Sequence, residues 1–260
     1  MDLKGKTAVI TGASSGIGRA AALEFARRGA NLFLAARGAE QLAAVAEECR
    51  RMGVRAEPVT TDVTRPEDCA RLAATAGAVD VLVNNAGFAV FDSIESAKSE
   101  DLEAMMRTNF FGAVNCTKAF LPAMLARRSG TIVNVGSIAG LMGYARMGGY
   151  CATKFALVGF SEALRDEVIG RGVRVALVCP GTTETNFFVT AERKKMPGAS
   201  RLMPGARPEQ VARVIAGAAE DGRYRTVMPL LASVYIKFKE IAPRLAHAMF
   251  RRVSAMLEPR

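Results

Sequence analysis

The chain has 260 residues, half of them hydrophobic, and carries a formal net charge of +10 with a sequence pI near 9.7. That length suits one doubly wound α/β domain, and no apolar run reaches the ~18–20 residues needed to cross a bilayer. The basic surplus comes without a nucleic-acid motif or interleaved aromatics, which argues against nucleic acid; it would attract anionic cofactors and acyl substrates, acidic carrier proteins or membrane surfaces, and a generally basic, solvated surface is its first explanation.

Thr7 to Thr11 is a short apolar run with the character of a central parallel strand. It leads into Gly12-Ala13-Ser14-Ser15-Gly16-Ile17-Gly18, and a helical pattern through Ala20, Ala21, Leu23, Phe25 and Ala26 then stops at Gly29. Strand, glycine loop and helix together form a context for a pyrophosphate. Glycines let the backbone approach it, and the helix N-terminus supplies N–H donors and partial positive charge. The second strand, Asn31 to Ala36, ends at Arg37. An NAD site usually sets a carboxylate there to accept from the ribose 2′-hydroxyl. Here Ala36 holds that position, and the cation beside it can pair with a 2′-phosphate. Ser14 and Ser15 add hydroxyl donors. The expected cofactor is NADP(H) in preference to NAD(H).

A third strand precedes Asp62, and the fourth, Val79 to Val83, runs into Asn84-Asn85-Ala86-Gly87. Thr131 to Val135 delivers Ser137 to the same sheet edge. Tyr150 and Lys154 then open a helix that continues through Leu157, Leu164 and Val168. Four residues is about one helical turn, so phenol and ammonium share a face. A neighbouring cation favours the phenolate and draws its pKa down from ~10 toward neutrality. The strand Val173 to Val178 ends at Pro180-Gly181.

Thr11 to Gly18 (TGASSGIG), Asn84 to Gly87 (NNAG), Ser137, Tyr150 and Lys154 together make the chain resemble the short-chain dehydrogenase/reductase (SDR) family over about residues 4 to 220. The resemblance implies a single Rossmann-like doubly wound parallel sheet with helices on both faces. It implies hydride transfer between a nicotinamide and a carbonyl or alcohol carbon, with Tyr150 exchanging the proton. Lys154 would acidify Tyr150 and bond the nicotinamide ribose, Ser137 would hold the substrate oxygen, and Asn109 would position a water. Gly12, Ser14, Ser15, Gly16, Ile17, Gly18, Arg37, Asp62, Val63, Asn85, Ala86 and Gly87 would bind the adenosine and phosphate portion. Pro180, Gly181, Thr182 and Thr185 would hold the nicotinamide end with Tyr150 and Lys154. A homodimer pairing through about residues 100–126 and 150–168 is implied as well.

The same resemblance implies a lid over about residues 184–206. Its Phe187 and Phe188, facing Leu141 and Met147 beside Ser137 and Tyr150, suggest a hydrophobic carbonyl or alcohol, and the tail's resemblance to the extended C-termini of some family members implies a steroid-like or long-chain acyl substrate. An NADP-linked alcohol dehydrogenase running oxidatively, and a non-catalytic NADP(H)-binding sensor or scaffold, are the competing functions. Residues 1–228 form the expected domain, with 229–260 an amphipathic helical extension. There Leu231, Val234, Phe238, Ile241, Leu245, Met249, Val253 and Met256 recur at helical spacing among Lys237, Lys239, Arg244, Arg251 and Arg252, and Pro243 breaks the helix. The extension can fold onto its own body, cap a lipophilic pocket, meet a second subunit or lie peripherally on an anionic membrane. Cys49, Cys69, Cys116, Cys151 and Cys179 show neither CxxC pairing nor a metal cadence with the sole histidine, His247. Free thiols, no metal and a cytoplasmic location are expected.

Overall fold

The computed structural model describes residues 1–185, 205–246, 248, 249 and 252. Seven strands form one parallel sheet in the order β3-β2-β1-β4-β5-β6-β7. They are β1 (Thr7–Thr11), β2 (Asn31–Ala36), β3 (Ala56–Thr60), β4 (Val81–Asn84), β5 (Gly130–Val135), β6 (Val173–Pro180) and β7 (Arg225–Met228). The helices are α1 (Gly16–Arg27), α2 (Ala39–Arg50), α3 (Pro66–Ala76), α4 (Ser99–Met106), α5 (Gly112–Ala126), α6 (Gly148–Val168), α7 (Pro208–Asp221) and α8 (Leu230–Ile241). A π-helical turn, Arg107–Phe111, joins α4 to α5.

Strand alternation sorts the core into two layers. Ala8, Ile10, Val81, Val83, Val133 and Val135 face α1, α2 and α7, meeting Ala21, Phe25, Leu42 and Ile215. Val9, Leu82, Ile132, Val173 and Val175 face the other way onto α3, α5 and α6, meeting Leu72, Phe120, Met124 and Leu164. Both faces are covered, so the central strands read as unbroken apolar runs. Burying Phe25, which has no exposed surface, contributes ~1.5–3 kcal/mol. Pro58 is tolerated in β3 because that strand is a sheet edge.

Strand order reverses between β1 and β4, so the loops leaving their carboxyl ends splay apart and open a crevice. The expected lid lies mostly outside the described residues, with Phe187 and Phe188 among those not described. Its ends are tied together by a bridge between Thr183 and Ala206, with Glu184 N–H donating to Ala206 at 3.0 Å and Ala206 N–H to Thr182 at 2.8 Å. At the far edge β7 leads into α8, which stops at Ile241, and helix resumes at Pro243. Among the described residues no helix is long and apolar enough to cross a membrane.

Candidate active site

A cleft of about 760 Å³ opens at the carboxyl edge of the sheet. Its floor is built where the loops after β1 and β4 touch. Gly12 and Gly16 take φ of +66° and +53°, and a Cβ on Gly12 would stand 2.9 Å from the Ala86 Cα. Only glycine allows this close approach without strain. Thr11 Oγ1 accepts from the Asn85 and Ala86 N–H groups at 3.0 and 3.1 Å, and Asn85 Nδ2 donates to the Thr11 carbonyl at 2.9 Å. Ser14, Ser15, Gly16, Ile17 and Gly18 line the cleft at the start of α1, whose first N–H groups have no partner within the helix.

Arg37 stands exposed at the rim beyond β2 and forms no ion pair among the described residues. Asp62 Oδ1 accepts from the Thr64 N–H and hydroxyl at 3.0 and 2.8 Å, and Asp68 accepts from the Asp62 N–H at 2.9 Å. These bonds hold the turn after β3 so that Asp62 and Val63 line the cleft. Glycine cradle, helix N-terminus, unpaired guanidinium and a fixed carboxylate fit a nicotinamide dinucleotide.

At the other end, α6 turns Tyr150 and Lys154 into the cleft, both buried. Ser137 caps the 3-10 turn Ile138–Gly140, its Oγ accepting from the Ala139 N–H at 3.1 Å, and it also hydrogen-bonds the Tyr150 phenol. Burial acts against the expected acidification of the phenol by its lysine. Burial pushes Tyr150 well above the usual phenol value, and the Ser137 bond offsets this only in part. Lys154 Nζ donates to the Val135 carbonyl at 2.9 Å and stands 5.8 Å from the phenol ring centroid. Burial draws the ammonium itself down to about 8, opposed by the nearby Cys179. With desolvation acting on both groups, each is pushed toward its neutral form.

Three further expectations meet a different geometry. Asn109 is buried in the π-helical turn and does not line the cleft. Its Oδ1 accepts from the Phe88 N–H at 2.9 Å, while Nδ2 donates to the Phe88 carbonyl at 2.8 Å and to Thr153 Oγ1 at 3.1 Å. Both ends of the amide are therefore occupied in pinning the loop after β4 to α6. Thr183 lines the cleft and Thr182 does not, while the Thr182 carbonyl accepts from the Ala206 N–H. Leu141 packs on Val158, Leu177 and Cys179 instead of the cleft, whereas Met147 joins Phe91 and Tyr150 in one apolar cluster.

Every other expected cofactor residue lines the cleft, including Pro180, Gly181 and Thr185. The cleft also takes Phe88, Arg107 and Thr108, which the sequence reading missed. Phe88 directly follows the NNAG run, a signal that was available. Arg107 and Thr108 arrive through the π-helical turn, which no sequence pattern announced. Phe91 meets the Tyr150 ring edge-on at 6.4 Å, a contact that also escaped notice. All five cysteines are free and buried, and no metal-holding group occurs among the described residues.

A parallel sheet with its glycine cradle at the strand-order reversal, and a serine, tyrosine and lysine at the opposite end of the same cleft, define a nicotinamide-dependent oxidoreductase of Rossmann type. The short chain dehydrogenase family model matches residues 6–196, and the chain belongs to that family. A 3-oxoacyl-(acyl-carrier-protein) reductase FabG from Thermotoga maritima is 35% identical over 228 residues, covering 85% of this chain and 93% of the relative. A short-chain dehydrogenase/reductase from Burkholderia phymatum, solved in complex with NAD, superposes with a TM-score of 0.86 at 28% identity, covering 94% of this chain and 96% of that one. A short-chain dehydrogenase from Sphingobium yanoikuyae in complex with NADPH gives a TM-score of 0.79 at 29% identity, covering 98% and 96%.

Proposed function

We propose that the protein is an NADPH-dependent carbonyl reductase for a lipophilic ketone or aldehyde, with Tyr150 as its proton donor. The observation that carries this reading is the Tyr150 phenol, hydrogen-bonded to Ser137 and turned into the cleft that holds the Gly12–Gly18 loop. Bound NADPH supplies the hydride. Tyr150 donates its proton to the oxygen as charge develops there. A phenol is intrinsically a stronger acid than an alcohol, whose oxygen resembles water at about 15.7, so transfer to an alkoxide runs downhill. Ser137 steadies the carbonyl oxygen as a preorganised donor. Lys154 has three donors and gives one to Val135, leaving the others for the ribose hydroxyls and the phenol. Asn109 acts as a positioning residue, holding the NNAG loop against α6 through Phe88 and Thr153.

Lys154 keeps its charge below about pH 8 and loses it above, while Tyr150 stays protonated across that range. The kcat/KM for the dinucleotide reports groups of the free enzyme. It is expected to fall as pH rises through about 8, approaching tenfold per pH unit above it, in steady-state rates followed by NADPH absorbance. A flat profile through pH ~9 contradicts the assignment.

The NADPH preference rests on Arg37 and on Ala36 standing where a carboxylate would otherwise be. Removing a charged hydrogen-bond donor from a phosphate costs roughly 1.5–3 kcal/mol. Arg37→Asp is therefore expected to weaken NADPH about 10–100-fold relative to NADH, read as the ratio of the two kcat/KM values. An unchanged ratio rejects the role of Arg37.

Lipophilic substrate character is supported by Phe88, which lines the cleft and packs on the cluster that holds Tyr150. Homodimer formation is supported by two exposed aromatic rings, Phe111 where the π-helical turn enters α5 and Phe155 on α6. Five buried free thiols favour a reducing, cytoplasmic setting.

A further inference from the structure

The exposed face of α8 has no role in dinucleotide binding or in the α5–α6 surface. Six of the large apolar side chains that stand exposed lie between residues 230 and 249: Leu230, Leu231, Val234, Ile241, Leu245 and Met249. Ile241 is 84% exposed, Leu230 78% and Leu231 70%. At 3.6 residues per turn, Leu230, Leu231, Val234 and Ile241 form one stripe, nearly opposite the Ala232 and Ile236 pair that α8 buries against the body. The helix is thus apolar on both sides, one satisfied and one not. Lys237 lies at the border of the outward stripe, and Arg244 follows in the next helical turn. Both are exposed and without an ion pair among the described residues.

We infer that this face seats the protein on the surface of an anionic phospholipid bilayer. An apolar stripe bordered by lysine and arginine matches the acyl boundary and the phosphate level of such a surface, and the net charge of +10 reinforces the attraction. A second copy of the same basic surface would meet like charge across the contact, which favours the lipid as occupant. The helix also stands at the reactive end of the cleft. Gly181 N–H donates to Met228 at 2.7 Å, next to the start of α8, and the Tyr144 phenol is raised chiefly by burial, with smaller contributions from Cys151 and from Tyr235 on α8. Tyr144 in turn packs on the cluster around Tyr150. Seating α8 on a bilayer therefore brings the substrate end of the cleft near lipid. That orientation rests on the lipophilic-substrate reading; the seating itself does not.

The test is flotation of the full chain with phosphatidylcholine vesicles, with and without phosphatidylserine. The parent protein is expected to float with the anionic vesicles, and added salt should weaken the association. Leu231→Ser, Val234→Ser and Ile241→Ser combined are expected to lower partitioning about 100-fold or more. Lys237→Glu with Arg244→Glu, which leaves the apolar stripe intact, should also abolish binding to the anionic vesicles. Thermal unfolding and turnover of a water-soluble ketone are measured on each variant, and neither should change. Failure of the parent to float, or flotation unaffected by either variant, overturns the inference while leaving the reductase reading in place. A shift in oligomeric state by light scattering in the triple variant, without vesicle binding by the parent, assigns the face to a second copy instead. Absence of turnover in a parent that floats sinks the reductase reading and leaves the docking face standing.

Discussion

Tyr150→Phe is expected to lower turnover about 10²–10⁴-fold while leaving dinucleotide affinity close to that of the parent. The substitution removes one oxygen and keeps the ring, so the apolar packing with Phe91, Met105 and Met147 survives. Folding should not suffer, because the bond lost is that to Ser137, and a serine hydroxyl can turn to another acceptor. Hydride transfer then leaves an alkoxide that must find its proton in a buried site, and that barrier appears in kcat. Single-turnover absorbance of NADPH, set beside dinucleotide titration by fluorescence, separates the two quantities. Turnover near the parent level would remove Tyr150 from the chemistry. Equal loss of turnover and dinucleotide binding would make it a structural residue.

Gly18→Ala is expected to abolish dinucleotide binding and to destabilise the fold. A Cβ at that position would stand 2.1 Å from the Gly12 carbonyl oxygen and 2.6 Å from Asn85 Nδ2. The nearer clash is with backbone, which cannot swing aside as a flexible side chain could. Relief requires α1 to move off the loop, yet Phe25 and Ala21 lock that helix onto the sheet. Overpacking of this kind costs about 1–3 kcal/mol. For a chain of this size that corresponds to a melting shift of roughly 2–12 °C. The loss of affinity should exceed what the melting shift implies, because displaced N–H donors no longer converge on a phosphate. Unchanged melting together with unchanged dinucleotide titration would mean that the loop relaxes freely, against the geometry described above.

Much of this architecture was legible in the chain. Thr7–Thr11 and Asn31–Ala36 form strands with the boundaries expected of them, because turn chemistry and apolar runs act between near neighbours. The π-helical turn at Arg107–Phe111 was not legible. It depends on Asn109 reaching back to Phe88 and across to Thr153, residues brought near only by the packing of α6.

Glycine spacing, strand ends and the one-turn separation of Tyr150 from Lys154 are local properties of the chain, and with them came the fold, the dinucleotide cleft and the family. Tertiary packing decided that Thr183 faces the cleft in place of Thr182, and that Asn109 braces a loop. It also raised the Tyr150 phenol, lowered the Lys154 ammonium, and left one side of α8 uncovered. Desolvation and exposure are set by which distant segments surround a side chain, and no window of sequence contains that information.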